Sequence, residues 1–266
     1  MALERAVVRL AALADLHYSK TSAGSLQPLF AQIAERADAL LICGDLTDYG
    51  LPEEAELLAR DLSVAKLPIV AVLGNHDYES GRADDVKQIL MDAGVTILDG
   101  DSCEIHGIGF AGVKGFCGGF GSGTLGFWGE PAIKQFVQEA LNEALKLETA
   151  LARLRTEQRI AVLHYAPIQA TVEGEPPAIY PWLGTSRLEE PFNRYPVNAI
   201  FHGHAHGGSV EGRTAGGIPV YNVSLALLQR AYPDLPPFRL FDIPVGERPA
   251  AAASPPLPGM HPARET

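Results

Sequence analysis

Eight residues in this chain can ligate metals or transfer protons, and all lie just beyond short apolar runs: Asp15, His17, Asp45, Asn75, His76, His164, His204 and His206. A set of carboxylates, imidazoles and an amide, without cysteine, suits divalent Mn, Fe, Zn or Co. It suits Ca or Mg less well, because those ions favour an all-oxygen shell. Eight candidate ligands are too many for one ion, so a pair is the natural reading. Two ions about 3.5–4 Å apart share a carboxylate, and such centres drive in-line displacement at phosphorus.

The pieces differ in specificity. Asp-x-His and Gly-Asp-x-x-Asp recur by chance, and a lone buried histidine is usually a satisfied core residue. Gly74-Asn75-His76-Asp77 is more specific, and Gly203-His204-x-His206 follows an apolar run directly. Their joint order is what separates this chain from a collection of polar turns.

The elements that must position these residues are strand-length apolar runs: Ala6–Ala14, Ala39–Cys43, Ile69–Leu73, Ile160–Leu163 and Ala199–Phe201. Near-continuous apolar runs of this length read as strands covered on both faces. Ligands in open α/β sheets gather beyond the carboxyl ends of such strands. Helical spacing lies between them. Leu26–Arg36 repeats Leu26, Leu29, Phe30 and Ile33, and Leu51–Ala65 opens with Pro52 and an acidic first turn. Asp84–Ala93 stops at Gly94, and Pro131–Arg155 is the longest helix. Arg187–Arg194 is a short helical pattern. Later, Ser209–Ala215 and Ile218–Val223 flank Gly216-Gly217 as a hairpin, and Phe238–Ile243 reads as a last strand. The pattern is therefore α/β with mixed pairing: parallel crossovers early, antiparallel elements late.

Two segments differ in composition. Residues 107–129 hold ten glycines among scattered aromatics, a strand followed by a flexible loop. Glu247–Thr266 holds five prolines and a run of alanines and reads as a disordered tail, leaving 1–246 as one domain.

Taken together, Asp15-x-His17, Gly44-Asp45-x-x-Asp48, Gly74-Asn75-His76-Asp77, His164 and Gly203-His204-x-His206 resemble the motif set of the calcineurin-like metallophosphoesterases. The match spans about Val7 to His206. The resemblance implies a four-layer αββα sandwich, two mixed β-sheets flanked by helices. It also implies roles. Asp15, His17 and His206 would hold one metal, Asn75, His164 and His204 the other, and Asp45 would bridge both. His76 would face the leaving oxygen, and Asp48 would hydrogen-bond His76 and fix its orientation. Asp77 receives no metal role, His202 is read as packing or as a support behind the ligands, and His106 and His261 remain unassigned. The implied reaction is hydrolysis of a small phosphate ester, first a phosphodiester and a cyclic nucleotide among the candidates, through in-line attack of a metal-bridging hydroxide. The implied cofactors are two divalent ions, Mn, Fe or Zn. A phosphomonoesterase of the same fold, or a metal-binding scaffold without turnover, stand as alternatives.

Composition narrows the partners. With 20% charged and 47% hydrophobic residues, the 266-residue chain is not a disordered one. Its net charge of −11 disfavours stable nucleic-acid binding, and a nuclease with it. No apolar run approaches the roughly 18–20 residues that span a bilayer, so no membrane role is expected. The charges of Glu4, Arg5 and Arg9 interrupt any signal-peptide core, and three cysteines without CxxC spacing suit reduced thiols, so a cytoplasmic setting is expected. Phe116, Phe120, Phe127, Tyr180 and Trp182 lie in segments that overhang the ligands; they either stack on a base or pack the loops. Arg187 either meets a phosphate or is a solvated surface arginine.

Overall fold

The structure, a computed structural model, describes residues 6–245, so the reading of a disordered tail lies outside the described residues. Along the chain come β1 (Ala6–Leu13), α1 (Gln27–Arg36), β2 (Ala39–Cys43), α2 (Pro52–Leu62), β3 (Ile69–Val72), α3 (Ala83–Asp92) and β4 (Val95–Ile97). Then follow β5 (Asp101–Ile105), β6 (Ile108–Val113), α4 (Pro131–Arg153), β7 (Gln158–Leu163), α5 (Tyr180–Leu183) and β8 (Ala199–His202). The described chain ends with β9 (Glu211–Arg213), β10 (Pro219–Asn222), α6 (Leu225–Ala231) and β11 (Arg239–Val245).

The strands form two mixed sheets, ordered β11-β1-β2-β3-β4 and β5-β6-β7-β8-β10-β9. Central neighbours are parallel, while β11, β5 and β9 run antiparallel at the edges. The α/β sandwich implied by the motifs is the one observed.

Alternation along each strand explains why the apolar runs are continuous. In β2, Leu40 and Ile42 pack toward the helices with Phe30, Leu58, Val86 and Leu90. Leu41 and Cys43 face the second sheet and join Val70, Val72, Phe110, Ile160 and Phe201. On the far side of the second sheet, Ala161, Leu163 and Ile200 meet Leu147 and Leu151 of α4. Three apolar seams thus lie between four layers. Each fully buried leucine contributes about 2 kcal/mol, so both faces of every central strand are committed.

Some elements differ from the pattern read in the sequence. The sequence left open how the five apolar runs divide between the two expected sheets; β1, β2 and β3 belong to the first, β7 and β8 to the second. Arg187–Arg194 is not one helix but two 3-10 turns, Ser186–Leu188 and Glu190–Asn193. Pro191 lacks the N–H that a continuous helix through this segment would use. The predicted hairpin forms, with Pro219 opposite Arg213. Strands β4 and β5 and helix α6 carried no signal strong enough to be anticipated. The carboxyl ends of β1, β2, β3, β7 and β8 converge at one end of the sandwich, where Asp15 N–H donates to the Gly44 carbonyl (3.0 Å) and Gly203 N–H to the His164 carbonyl (3.2 Å).

Candidate metal centre

The backbone at these strand ends is contorted. Among the described residues, five non-glycine residues have positive φ: Asp15 (58°), His17 (43°), Asp45 (48°), His204 (70°) and His106 (53°). The first four are candidate ligands; His106 sits exposed in the β5–β6 turn. A left-handed residue with a Cβ costs roughly 1–2 kcal/mol, so surrounding bonds must over-determine it. They do. His17 N–H donates to the Asp45 carbonyl (3.1 Å) and Tyr18 N–H to the Leu46 carbonyl (3.1 Å), zipping the first two loops together. His204 N–H donates to both Asp15 carboxylate oxygens (3.0 Å each).

The motif glycines allow this crowding. Gly44 combines φ of 85° with a position where a Cβ would collide with the His164 ring. At Gly203 a Cβ would lie 2.6 Å from Ala14 Cβ and 2.8 Å from Asp15 Oδ2.

The side chains converge as two clusters. Ligand atoms of Asp15, His17 and His206 lie within 4.8 Å of one another, and so do those of Asp45, His164 and His204. Asn75 joins the second cluster, its Oδ1 2.9 Å from His164 Nε2. Asp45 stands between them. Its Oδ2 is 3.7 Å from His17 Nε2, and its Oδ1 is 3.4 Å from His164 Nε2. His76 also lies within ligand reach of His17 and Asp45, but its N–H donates to Asp45 Oδ1 (2.9 Å) and its Nδ1–H to the Asp48 carbonyl (2.8 Å). That leaves His76 Nε2 free.

Hydrogen bonding sets the tautomers. A carbonyl only accepts, so His164 Nδ1–H donates to the Cys43 carbonyl (2.9 Å), and His204 Nε2–H to the Trp182 carbonyl (3.2 Å). His164 Nε2 is then a bare lone pair, and it faces the Asn75 amide oxygen, another acceptor. His17 Nδ1 faces the Asp48 carboxylate (3.3 Å), which turns its Nε2 toward His206 Nε2 (3.4 Å). An imidazole lone pair aimed at an amide oxygen is what a bound cation would separate, and with Asp15, His17 and His206 converging beside it the donor set fits a divalent ion in each cluster.

Charge in the site agrees. Burial, followed by the nearby Asp15 charge, pushes the Asp45 carboxyl up to about 6. Burial would also raise Asp15, but the His206 hydrogen bond and the His164 charge outweigh it and hold the carboxyl well below its usual range. Burial pushes His164 down to about 4 and His204 to about 3, so both imidazoles are neutral and able to ligate near pH 7. His76 differs. Burial lowers its basicity, but the Asp48 carbonyl and the Asp45, Glu79 and Asp48 carboxylates reverse this and raise its pKa.

The structure therefore brings together all the predicted ligands, Asp15, His17, Asp45, Asn75, His164, His204 and His206. The predicted contact from Asp48 to His76 is made by its backbone carbonyl; its carboxylate lies 4.0 Å from His76 Nδ1 and nearer to His17. His202 is buried, its ring nitrogens occupied by the Gly203 carbonyl (Nδ1) and Thr171 Oγ1 (Nε2), 2.8 Å each. His261 lies outside the described residues. Arg187 meets no ligand atom; its Nη2 holds the Leu125 carbonyl (2.9 Å) and ties the glycine-rich segment to the loop after His164. Phe120 packs with Ala166, Val172 and Leu183, whereas Phe127 and Trp182 are more than half exposed.

One residue without an assigned role matters. Asp77 is fully buried and accepts from Leu46 N–H (3.2 Å), Thr47 N–H (2.8 Å), Thr47 Oγ1 (2.6 Å) and Gly74 N–H (2.7 Å). It pins the loop bearing Asp45 to the loop bearing Asn75. Its place beside Asn75 and His76 was the only signal in the sequence.

The sequence profile of the calcineurin-like phosphoesterases matches residues 8–208, a span that holds every one of these ligands. The chain belongs to this family. Family membership and the clustered ligands together support a metal-dependent phosphoesterase. Solved structures share the fold at low identity. The phosphopantetheinyl hydrolase PptH of Mycobacterium tuberculosis is 16% identical with a TM-score of 0.61, covering 96% of this chain and 98% of its own. TT1561 of Thermus thermophilus is 17% identical with a TM-score of 0.57, covering 90% and 99%. A putative 5'-nucleotidase from Staphylococcus aureus is 15% identical with a TM-score of 0.50, covering 82% of this chain and 48% of its own. Among curated protein sequences, none matches the chain. Among the described residues, no helix is long and apolar enough to cross a membrane.

Proposed function

We propose that this calcineurin-like protein hydrolyses a small phosphate ester with two divalent ions, a phosphodiester in preference to a monoester. The observation that carries this reading is Asp45, whose two oxygens face two separate imidazole-bearing clusters. Asp15, His17 and His206 would hold one ion, Asn75, His164 and His204 the other, with Asp45 shared. The ions, Mn, Fe or Zn by donor type, would supply Lewis acidity and a water acidic enough to attack phosphorus near neutral pH.

The protein's own groups do the rest. Cys43, Trp182 and Asp48 orient three of the imidazoles through the nitrogen that does not face the centre. His76, anchored through Nδ1, turns Nε2 outward. Its raised pKa suits it to donate a proton to the departing oxygen. No nucleophilic side chain is required, so no covalent intermediate with the protein is expected. A net charge of −11 argues against a polynucleotide and for a small substrate, a cyclic nucleotide among them. Three unpaired cysteines support a cytoplasmic setting.

The test is a panel of bis-p-nitrophenyl phosphate, p-nitrophenyl phosphate and cyclic nucleotides against Mn-reconstituted protein, with metal content measured in parallel. The expected result is two ions per chain and faster diester cleavage. A protein that binds two ions and cleaves nothing would be a scaffold; one that binds none would overturn the reading altogether.

A further inference from the structure

Lys114 directly follows β6, whose register places Val113 beside Leu163 of β7, so it lies next to His164 at the site end of the sheet. Its backbone carbonyl accepts from both His164 and Tyr165 N–H (3.1 Å each). The side chain is half-buried. Its Nζ lies 5.4 Å from the Tyr78 ring centre, 5.1 Å from Phe116 and 5.4 Å from Tyr165. Tyr78 follows His76 by two residues, and the Tyr165 ring is 4.5 Å from the His204 ring. The ammonium thus stands between the loop of the proposed proton donor and the loops of the second metal cluster.

This cation is held without being neutralised. Among the described residues, no carboxylate oxygen comes within 4.0 Å of Nζ, and its one hydrogen bond goes to the Gly115 carbonyl (2.8 Å). Aromatic faces stabilise a cation but leave its charge and its remaining N–H donors available. Glu143, the carboxylate whose charge acts most on Lys114, is already engaged by Lys146 (2.7 Å) and Gly115 N–H (2.8 Å). A half-buried ammonium ringed by three aromatic faces, with no carboxylate among the described residues to pair it, is a costly arrangement that calls for an anionic ligand.

We propose that Lys114 is the anchor for a second anionic group on the substrate, a phosphate or a carboxylate, so that the protein selects phosphate esters carrying an additional charge. This rests on the phosphoesterase reading above. The rings of Tyr78, Phe116 and Tyr165 hold the ammonium in place, and two of its three N–H donors bind the incoming anion.

A matched pair of chromogenic diesters tests it: thymidine 5'-(p-nitrophenyl phosphate) and its 3'-phosphorylated counterpart, with Mn-loaded protein. The 3'-phosphorylated ester is expected to show the higher kcat/KM by about tenfold, the size of one charge-assisted hydrogen bond, carried by KM. Lys114→Met should bring the ratio close to one, and Lys114→Arg should keep most of it. A ratio near one in the wild type, or a ratio that Lys114→Met leaves unchanged, overturns the proposal. Calorimetric binding of thymidine 3',5'-bisphosphate against thymidine 5'-monophosphate gives a readout free of turnover, with the same preference expected and its absence equally decisive. If neither diester is cleaved, the phosphoesterase reading fails, and calorimetry alone still decides the role of Lys114. Should Lys114→Met not fold, the wild-type ratio and the Lys114→Arg variant carry the test.

Discussion

Removing the Asp77 carboxylate should weaken the fold although the residue is not a proposed ligand. Asp77→Ala strips the acceptors from Leu46 N–H, Thr47 N–H, Thr47 Oγ1 and Gly74 N–H. Four buried donors left bare, at about 1.5 kcal/mol each, cost about 6 kcal/mol. Part of this is offset. Burial, then the neighbouring Asp45 charge, push the Asp77 carboxyl up to about 6 from 3.8. Holding it ionised at neutral pH therefore costs roughly 3 kcal/mol, which alanine relieves. The net loss is about 3 kcal/mol, or about 5 °C in Tm at roughly 0.55 kcal/mol per degree for a chain of this length. The sign of the pH dependence is the sharper test. A carboxyl whose folded pKa is raised contributes stability that is present at low pH and lost as pH rises through about 6. The gap between wild type and Asp77→Ala should therefore widen by on the order of 1 kcal/mol between about pH 7.5 and about pH 5. Urea unfolding of metal-free protein at both pH values measures it. A gap that narrows on acidification would refute the argument, and Asp77→Asn, which cannot titrate, should show the same widening as alanine.

Other expectations follow from the same geometry. His76→Ala should lower turnover by about 10²–10³-fold with both ions retained, whereas Asp45→Ala should lose metal; equal metal loss in the two, by elemental analysis, would contradict the division of roles. Mn affinity should fall below about pH 6, where Asp45 takes up a proton, while His164 and His204 stay neutral to about 4 and 3; a titration flat down to about pH 4.5 would argue against carboxylate bridging. Gly203→Ala should disturb Asp15 and Ala14 together, at about 1–3 kcal/mol of overpacking, seen as a lower Tm and a reduced metal stoichiometry.

The parts of this molecule legible in the sequence share one physical cause. Strands such as β2 and β7 are covered on both faces, so they announce themselves as unbroken apolar runs, and the polar residues that end them stand out. Strand β5 is at a sheet edge with Asp101 and Glu104 exposed, so neither alternation nor apolarity marks it. The division of the five runs between two sheets is likewise invisible, because both sheets demand the same composition. At the site, residue types named the candidate ligands that cluster in the fold, but not their directions. Asp48 offers its carbonyl to His76 and its carboxylate to His17, a choice made by the path of the loop. Asp77 is a turn acid in the sequence and a four-bond anchor in the fold.

The seam between the sheets gives the proposed ions a second task. Each would be gripped from both sides, Asp15 and His17 against His206, and Asp45 and Asn75 against His164 and His204. Metal would thus rivet the two halves of the sandwich, adding its binding free energy to the apolar seam that already joins them.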